Sequence, residues 1–200
     1  MKEIYSLGID PSFNGFSAIL LQNNQIIDFY FFSLFNEYGK YANDFDEIHK
    51  VNEVLDPFLR YISKLNIFID VIGIEKPIFN RFNPKIFAEQ MMLYYALTNH
   101  FCCRLDLCTY RSEPKGIKKF FTGSGNSNKE DMLLACLKYK DYKSFPELKN
   151  CLKQEKNKKL LKKEQESYRL KREGLVDAIA IALYAKNQYN ILFNITESVK

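Results

Sequence analysis

Two hundred residues, 46% hydrophobic and 26% charged, suit one globular domain with a sizeable core, and a net charge of +5 points mildly to a polyanionic partner. Five cysteines without a Cys-x-x-Cys pair and two distant histidines exclude a zinc constellation and read as reduced thiols of an intracellular, cytoplasmic protein. The opening Met-Lys-Glu runs straight into a strand, which argues against a cleaved leader, and no apolar run approaches the roughly 18 residues needed to span a bilayer.

Residues 4–9 (IYSLGI) read as a short buried strand, Phe16 to Leu21 as a second and Gln25 to Ser33 as a third. Gln22-Asn23-Asn24 joins the last two, and Asn-Asn suits the positive φ of a tight hairpin, so the three predict an antiparallel meander. From Tyr41 to Leu65 the apolar residues recur every three or four positions, a helical period that Pro57 should kink or divide. Residues 67–75 (IFIDVIGIE) form another buried strand, ending on Glu75 before Lys76-Pro77. Pro84 to Phe101 reads as a helix and residues 104–109 (RLDLCT) as a short strand. A Gly-Ser-Gly turn follows, and Asn128 or Ser127 caps a helix expected from near Lys129. Residues 147–173 carry ten Lys or Arg against five Glu, with too few apolar residues for a core-facing stripe. They predict an exposed basic helix or a partly mobile insertion, at about 141–173 within a single domain 1–200. The last helix is expected from near Leu175, apolar except for Asp177. A meander followed by alternating strands and helices implies an α/β fold with a mixed sheet covered by helices.

Asp10, Glu75 and Asp177 are each acidic inside an apolar segment or at its edge. Each has a local explanation. Asp10 can cap its turn through the Ser12 and Phe13 amides, Glu75 can pair with Lys76 or an arginine, and Asp177 can favour the positive end of a helix dipole. Together they open a second reading. If the strands of Asp10 and Glu75 are parallel neighbours, both carboxylates emerge at the sheet edge where ligand sites lie, and the last helix can bring Asp177 there. Three converging carboxylates need cations, and all-oxygen ligation suits Mg²⁺ or Mn²⁺. Two such ions about 3.5–4 Å apart can activate a water and stabilise the leaving oxygen in phosphodiester cleavage.

At these residues the chain resembles a known family. LGIDPSFNGF resembles the opening of RuvC-type Holliday junction resolvases, of the ribonuclease H-like (retroviral integrase) superfamily, and IGIEKP their second acidic strand. GSGNSNKEDM is similar to their glycine turn, lysine and helix, and LVDAIAIA to the acidic start of their last helix. The four segments occur in the family's order from residue 6 to about 185. The resemblance implies a mixed five-stranded sheet flanked by helices and a homodimer that resolves four-way DNA junctions by paired, symmetric, Mg²⁺-dependent nicks in recombination and repair. It implies metal-binding, catalytic carboxylates at Asp10, Glu75 and Asp177, and Lys129 near the scissile phosphate. The family's fourth ligand, three residues before the last aspartate, falls on Gly174; Glu173, one residue further back, is the candidate substitute.

Further residues extend the expected DNA interface. Phe79, Arg81 and Phe82 mix aromatic and basic character beside Glu75, fit to stack on an unpaired base and grip phosphate, or else to anchor the loop on the core. Lys115, Lys118 and Lys119 lie on an expected short helix as phosphate contacts or a solvated face. Lys158, Lys159, Lys162, Lys163 and Arg172 represent the basic block, whose contacts would be sequence-independent and salt-sensitive, unless it is simply a solvated helix. Met91 to Tyr95 reads as core, and the resemblance implies that this helix contributes to a dimer interface. Rival readings are a related nuclease on other branched DNA or RNA–DNA hybrid, a sugar-kinase or actin-like phosphate turn at GIDPSFNG, and a decayed nuclease that only binds branched DNA.

Overall fold

The computed structural model describes residues 3–79, 81, 83–139, 142 and 145–193, with only the backbone of 40, 41 and 43. Five strands form one sheet in the order β3-β2-β1-β4-β5. β1 (Tyr5–Asp10), β2 (Phe16–Gln22) and β3 (Gln25–Phe32) make the expected antiparallel meander. Its hairpin turns at Asn23, whose φ of 56° is tolerated because a short polar side chain finds a local partner: its Oδ1 accepts the Ile4 N–H at 3.2 Å. β4 (Val71–Glu75) runs parallel to β1, and β5 (Thr109–Ser112) parallel to β4.

Helices cover both faces. α1 (Leu34–Tyr38) and a 3₁₀ turn (Gly39–Asp44) lead to α2 (Glu47–Lys64), which Asp46 caps by accepting the His49 N–H. α2 continues through Pro57 instead of dividing there; the helical run is interrupted upstream, where the 3₁₀ turn precedes the Asp46 cap. α2 and α3 (Pro84–Thr98) pack on the face formed by Leu7, Ile9, Phe16, Ala18 and Leu20, with Phe58 at 0% exposure beneath Phe16. Alternation along the strands turns Ser6, Gly8 and Asp10 to the opposite face. There α4 (Pro114–Thr122), α5 (Lys129–Lys138), α6 (Pro146–Glu155) and α7 (Lys162–Leu192) lie. No helix among the described residues is long and apolar enough to cross a membrane.

Two boundaries differ from the sequence expectation. Residues 104–109 are mostly not a strand: a π-type turn (Asn99–Arg104) extends α3, Asp106 takes φ of 50°, and pairing begins only at Thr109, opposite Ile72. More consequentially, the last helix begins at Lys162, so the second half of the basic block is its first third. Propensity explains this: Lys, Glu, Gln and Arg sustain a helix without a buried stripe once its other end is packed.

Candidate active site

Glycine sets the geometry. Gly8 on β1 and Gly73 on β4 are register partners, and α7 crosses directly over them. A Cβ at Gly8 would collide with the Ala178 carbonyl oxygen and the Ala182 nitrogen, and one at Gly73 would lie 2.8 Å from the Ile181 carbonyl oxygen. The facing stripe on α7 is correspondingly small: Ala178, Ala182 and Ala185, all at 0% exposure. Two residues beyond the paired glycines, on the same face and at the carboxyl ends of the parallel strands, stand Asp10 and Glu75. Asp177, one residue before Ala178, is carried to the same edge.

The local explanations for these carboxylates do not hold. Ser12 donates its N–H to the main-chain carbonyl of Asp10 at 3.2 Å, so the turn is closed without the carboxylate. No ion pair among the described residues involves Glu75. Asp177 lies near the middle of α7, far from either end of its own helix, and is 8% exposed.

The carboxylates feel one another. Burial, then Glu75 and then Asp177, push Asp10 well above the usual carboxylate range, against a lowering by Lys129. Burial and then Asp177 raise Glu75 to about 7, against lowering by Lys129 and Lys118. Lys129 is the first residue of α5. Asn128 caps that helix by accepting the Glu130 and Asp131 N–H groups while the Asp131 carboxylate accepts the Asn128 N–H. This fixed start sends the Lys129 ammonium to the Asp177 carboxylate. Burial alone would lower its pKa, but Asp177, then Asp10 and Glu173, hold it above the ordinary lysine value. Among the described residues no three carboxylate, imidazole or thiol groups close into a metal-holding cluster. The three carboxyls offer oxygen donors only, the donor chemistry a hard divalent cation prefers, and one ammonium is set against Asp177.

No protein-family model matches the sequence, and no curated protein does. Among solved structures, Thermus thermophilus RuvC aligns over 98% of this chain and 100% of its own, with a TM-score of 0.62 and 14% identity. T. thermophilus RuvC in complex with Holliday junction substrate aligns over 94% and 96%, with a TM-score of 0.62 and 13% identity. The yeast mitochondrial Holliday junction resolvase Ydc2 aligns over 93% of this chain and 85% of its own, with a TM-score of 0.47 and 16% identity. The fold is RuvC-type.

Within this RuvC-type fold, position 174 cannot carry a ligand. A Cβ on Gly174 would strike the Ser17 Oγ and lie 2.9 Å from the Gly15 carbonyl oxygen, because α7 rests there on the start of β2. Glu173 lies close enough to raise both Asp10 and Lys129, but its Oε1 accepts from Arg169 Nη1 at 2.7 Å and lies 3.7 Å from Arg172 Nη2. Sequence reading missed Arg169, which also pairs with Glu166. Its only signal was Glu-x-x-Arg-x-x-x-Glu, spacing that brings three charges to one helix face.

The expected DNA contacts divide. Phe79 is 63% exposed and touches Phe87 edge-to-face at 5.3 Å, so it is not a core anchor; Arg81 is exposed beside it, and Phe82 lies outside the described residues. Lys115 and Lys119 are exposed on α4, and Lys118 is near enough to Glu75 to lower its pKa. Lys158, Lys159, Lys162 and Lys163 are exposed on the turn before α7 and its first residues. Arg172 is a correction. It is 8% exposed, and its guanidinium donates to Glu155 at 2.8 and 3.1 Å, where it ties α6 to α7 rather than facing solvent.

Proposed function

We propose that this protein is a metal-dependent endonuclease that resolves four-way DNA junctions, acting as a homodimer that places one nick in each of two symmetric strands. The observation that carries the reading is the meeting of Asp10, Glu75, Asp177 and Lys129 at the carboxyl edge of a RuvC-type sheet. Asp10, Glu75 and Asp177 would hold one or two Mg²⁺ or Mn²⁺ ions, with Glu173 at the border of the set. Bound there, such ions activate an attacking water and stabilise the leaving oxygen of a phosphodiester.

The chain's own groups do the rest. Lys129 attracts the phosphate, helped by the positive end of the α5 dipole, whose Glu130 and Asp131 amides are already capped by Asn128. An arriving phosphate competes with Asp177 for the ammonium and so frees that carboxylate for a cation. Exposed lysines lie on α4, near Glu75, and at the start of α7, about 21 Å along the helix from Asp177, a spread suited to backbone phosphates of diverging arms. Junction shape and strand bendability would then carry selectivity.

The test is cleavage of a synthetic four-way junction against matched linear duplex with Mg²⁺, Mn²⁺ or chelator, beside Asp177→Asn. Paired metal-dependent nicks in the junction, lost in the variant, support the reading; equal cutting of duplex overturns it. Gly174 favours one second reading, a branched-DNA-binding protein that has lost cleavage, because the contact with Ser17 and Gly15 leaves no room for a fourth ligand. Tight junction binding with no nicks under either metal identifies it.

A further inference from the structure

A cavity of about 450 Å³ opens between the β1–β2 turn, α1 and the start of α3. Ser12 and Gln90 line both it and the smaller cleft that holds Asp10 and Glu75, so the two spaces adjoin. The cavity wall is mixed. Phe13 and Phe35 supply ring surface, while Asn14 and Asn83 supply amides held in fixed orientation. Asn14 Oδ1 accepts the Phe35 N–H at 3.3 Å and Asn83 Oδ1 accepts the Ile86 N–H at 3.3 Å, which leaves each NH₂ available as a donor.

The lining also contains an ion pair. Lys50 Nζ donates to Glu89 Oε1 at 2.9 Å, with each side chain only 12% exposed. A pair this buried adds little net stability, since desolvation offsets attraction. It does set further N–H donors beside a second carboxylate oxygen on one wall. Cations stand close by: Lys85 lines the cavity, and Lys163 of α7 holds its ammonium 4.7 Å from the Phe35 ring centroid.

Ring surface, donor and acceptor side by side, and cations together match a nucleotide, with base inward and phosphate outward. The volume falls within the about 300–1,000 Å³ in which proteins hold small-molecule groups. We propose that this cavity receives one unpaired nucleobase of the bound DNA strand, within a few nucleotides of the phosphate at the carboxylates. The inference rests on the branched-DNA reading above and adds a strand-positioning site to it. Insertion of a base there would fix the register of the strand, and hence which phosphate meets Lys129.

The test measures junction affinity in chelator, so that no strand is cut. Four-way junctions carry one abasic nucleotide, moved in turn through the five positions either side of the branch point. One position is expected to lose about tenfold in affinity, the scale of a single stacked base. That penalty is expected to shrink below twofold in the Lys50→Met/Glu89→Leu protein, and to shrink in part in Gln90→Ala, with melting curves verifying the fold. A wild-type junction complex indifferent to every abasic position overturns the cavity assignment and leaves the nuclease reading standing. So does a penalty unchanged in both variants. Failure of the wild-type protein to prefer the junction over duplex removes both.

Discussion

The two halves of α7 are held by different forces. From Gly174 to Ala185 the helix lies close on β1, β2 and β4: a Cβ at Gly8 or Gly73 would strike its main chain, and one at Gly174 would strike the Ser17 side chain and the Gly15 carbonyl oxygen. From Lys162 to Glu173 it leaves the sheet and is tethered by polar contacts: Asn36 to Ser167 at 2.7 Å, Lys171 to Glu147 at 2.6 Å, and Arg172 to Glu155. Close-packed backbone cannot give, whereas these partly buried ion pairs add little net stability once desolvation is counted. The carboxylate edge is therefore positioned rigidly, while the first residues of α7 stay exposed and open to a polyanion.

The largest effect is expected where rigidity serves chemistry. Asp10→Asn or Asp177→Asn should lower junction cleavage by about a thousandfold or more, since loss of a metal-binding carboxylate removes several kcal/mol of transition-state stabilisation. Single-turnover cleavage measures it, and unchanged junction binding in chelator separates catalysis from fold.

Next comes the packing itself. Gly8→Ala places a methyl group against the main chain of α7 and should cost about 3 kcal/mol, at the upper end of overpacking, because no flexible side chain can move aside. Arg172→Met in the polar half should cost about 1 kcal/mol, between exposed and buried pairs, as Glu155 stays partly solvated. Urea denaturation reads both. Equal losses would erase the contrast between the two halves. Gly174→Asp belongs with Gly8→Ala: it should destabilise and fail to add a ligand.

The third effect depends on pH. Glu75 rises from 4.5 to about 7 in the fold, so its protonated form binds the native state better than its ionised form. Stability from this group is full below about pH 4.5, declines as pH climbs to about 7 and stays lost above, a difference of about 3 kcal/mol. Glu75→Gln should thus match the wild type at about pH 4 and exceed its metal-free stability at about pH 8 by roughly that amount. Added Mg²⁺ should narrow the gap by stabilising only the wild type.

Much of this was legible in the sequence for a physical reason. A carboxylate at the end of an apolar strand, as at Asp10 and Glu75, is costly unless used, so the pattern signals a site. The helix start at Lys129 was legible because a Gly-Ser-Gly turn and the capping residue Asn128 precede it, while a role for Lys129 rested on the family resemblance. The start of α7 was not legible, because a charged helix without an apolar stripe looks the same as a solvated coil. Nor was the Arg172–Glu155 pair, which joins residues on two helices and has no period. Gly174 was legible only as the place of a missing ligand, because the helix was expected from near Leu175 and the contact with Ser17 has no sequence signal.

The smallest effect tests the polar half. Lys159, Lys162 and Lys163 are exposed, so alanine at all three should leave urea stability within about 0.5 kcal/mol of wild type. If this segment grips DNA, the triple variant should bind junctions several-fold more weakly. The slope of log affinity against log salt should also fall by about one for each phosphate that these lysines neutralise in the wild type. The weakening should be the same for junctions of different sequence, since phosphate contacts position and do not specify. Lys163 sits over the Phe35 ring beside the proposed base cavity, so Lys163→Ala alone should also soften the abasic penalty there. An unchanged salt slope would leave the segment as a solvated helix end, and the rigid carboxylate edge would then bind the junction with α4 and α5 alone.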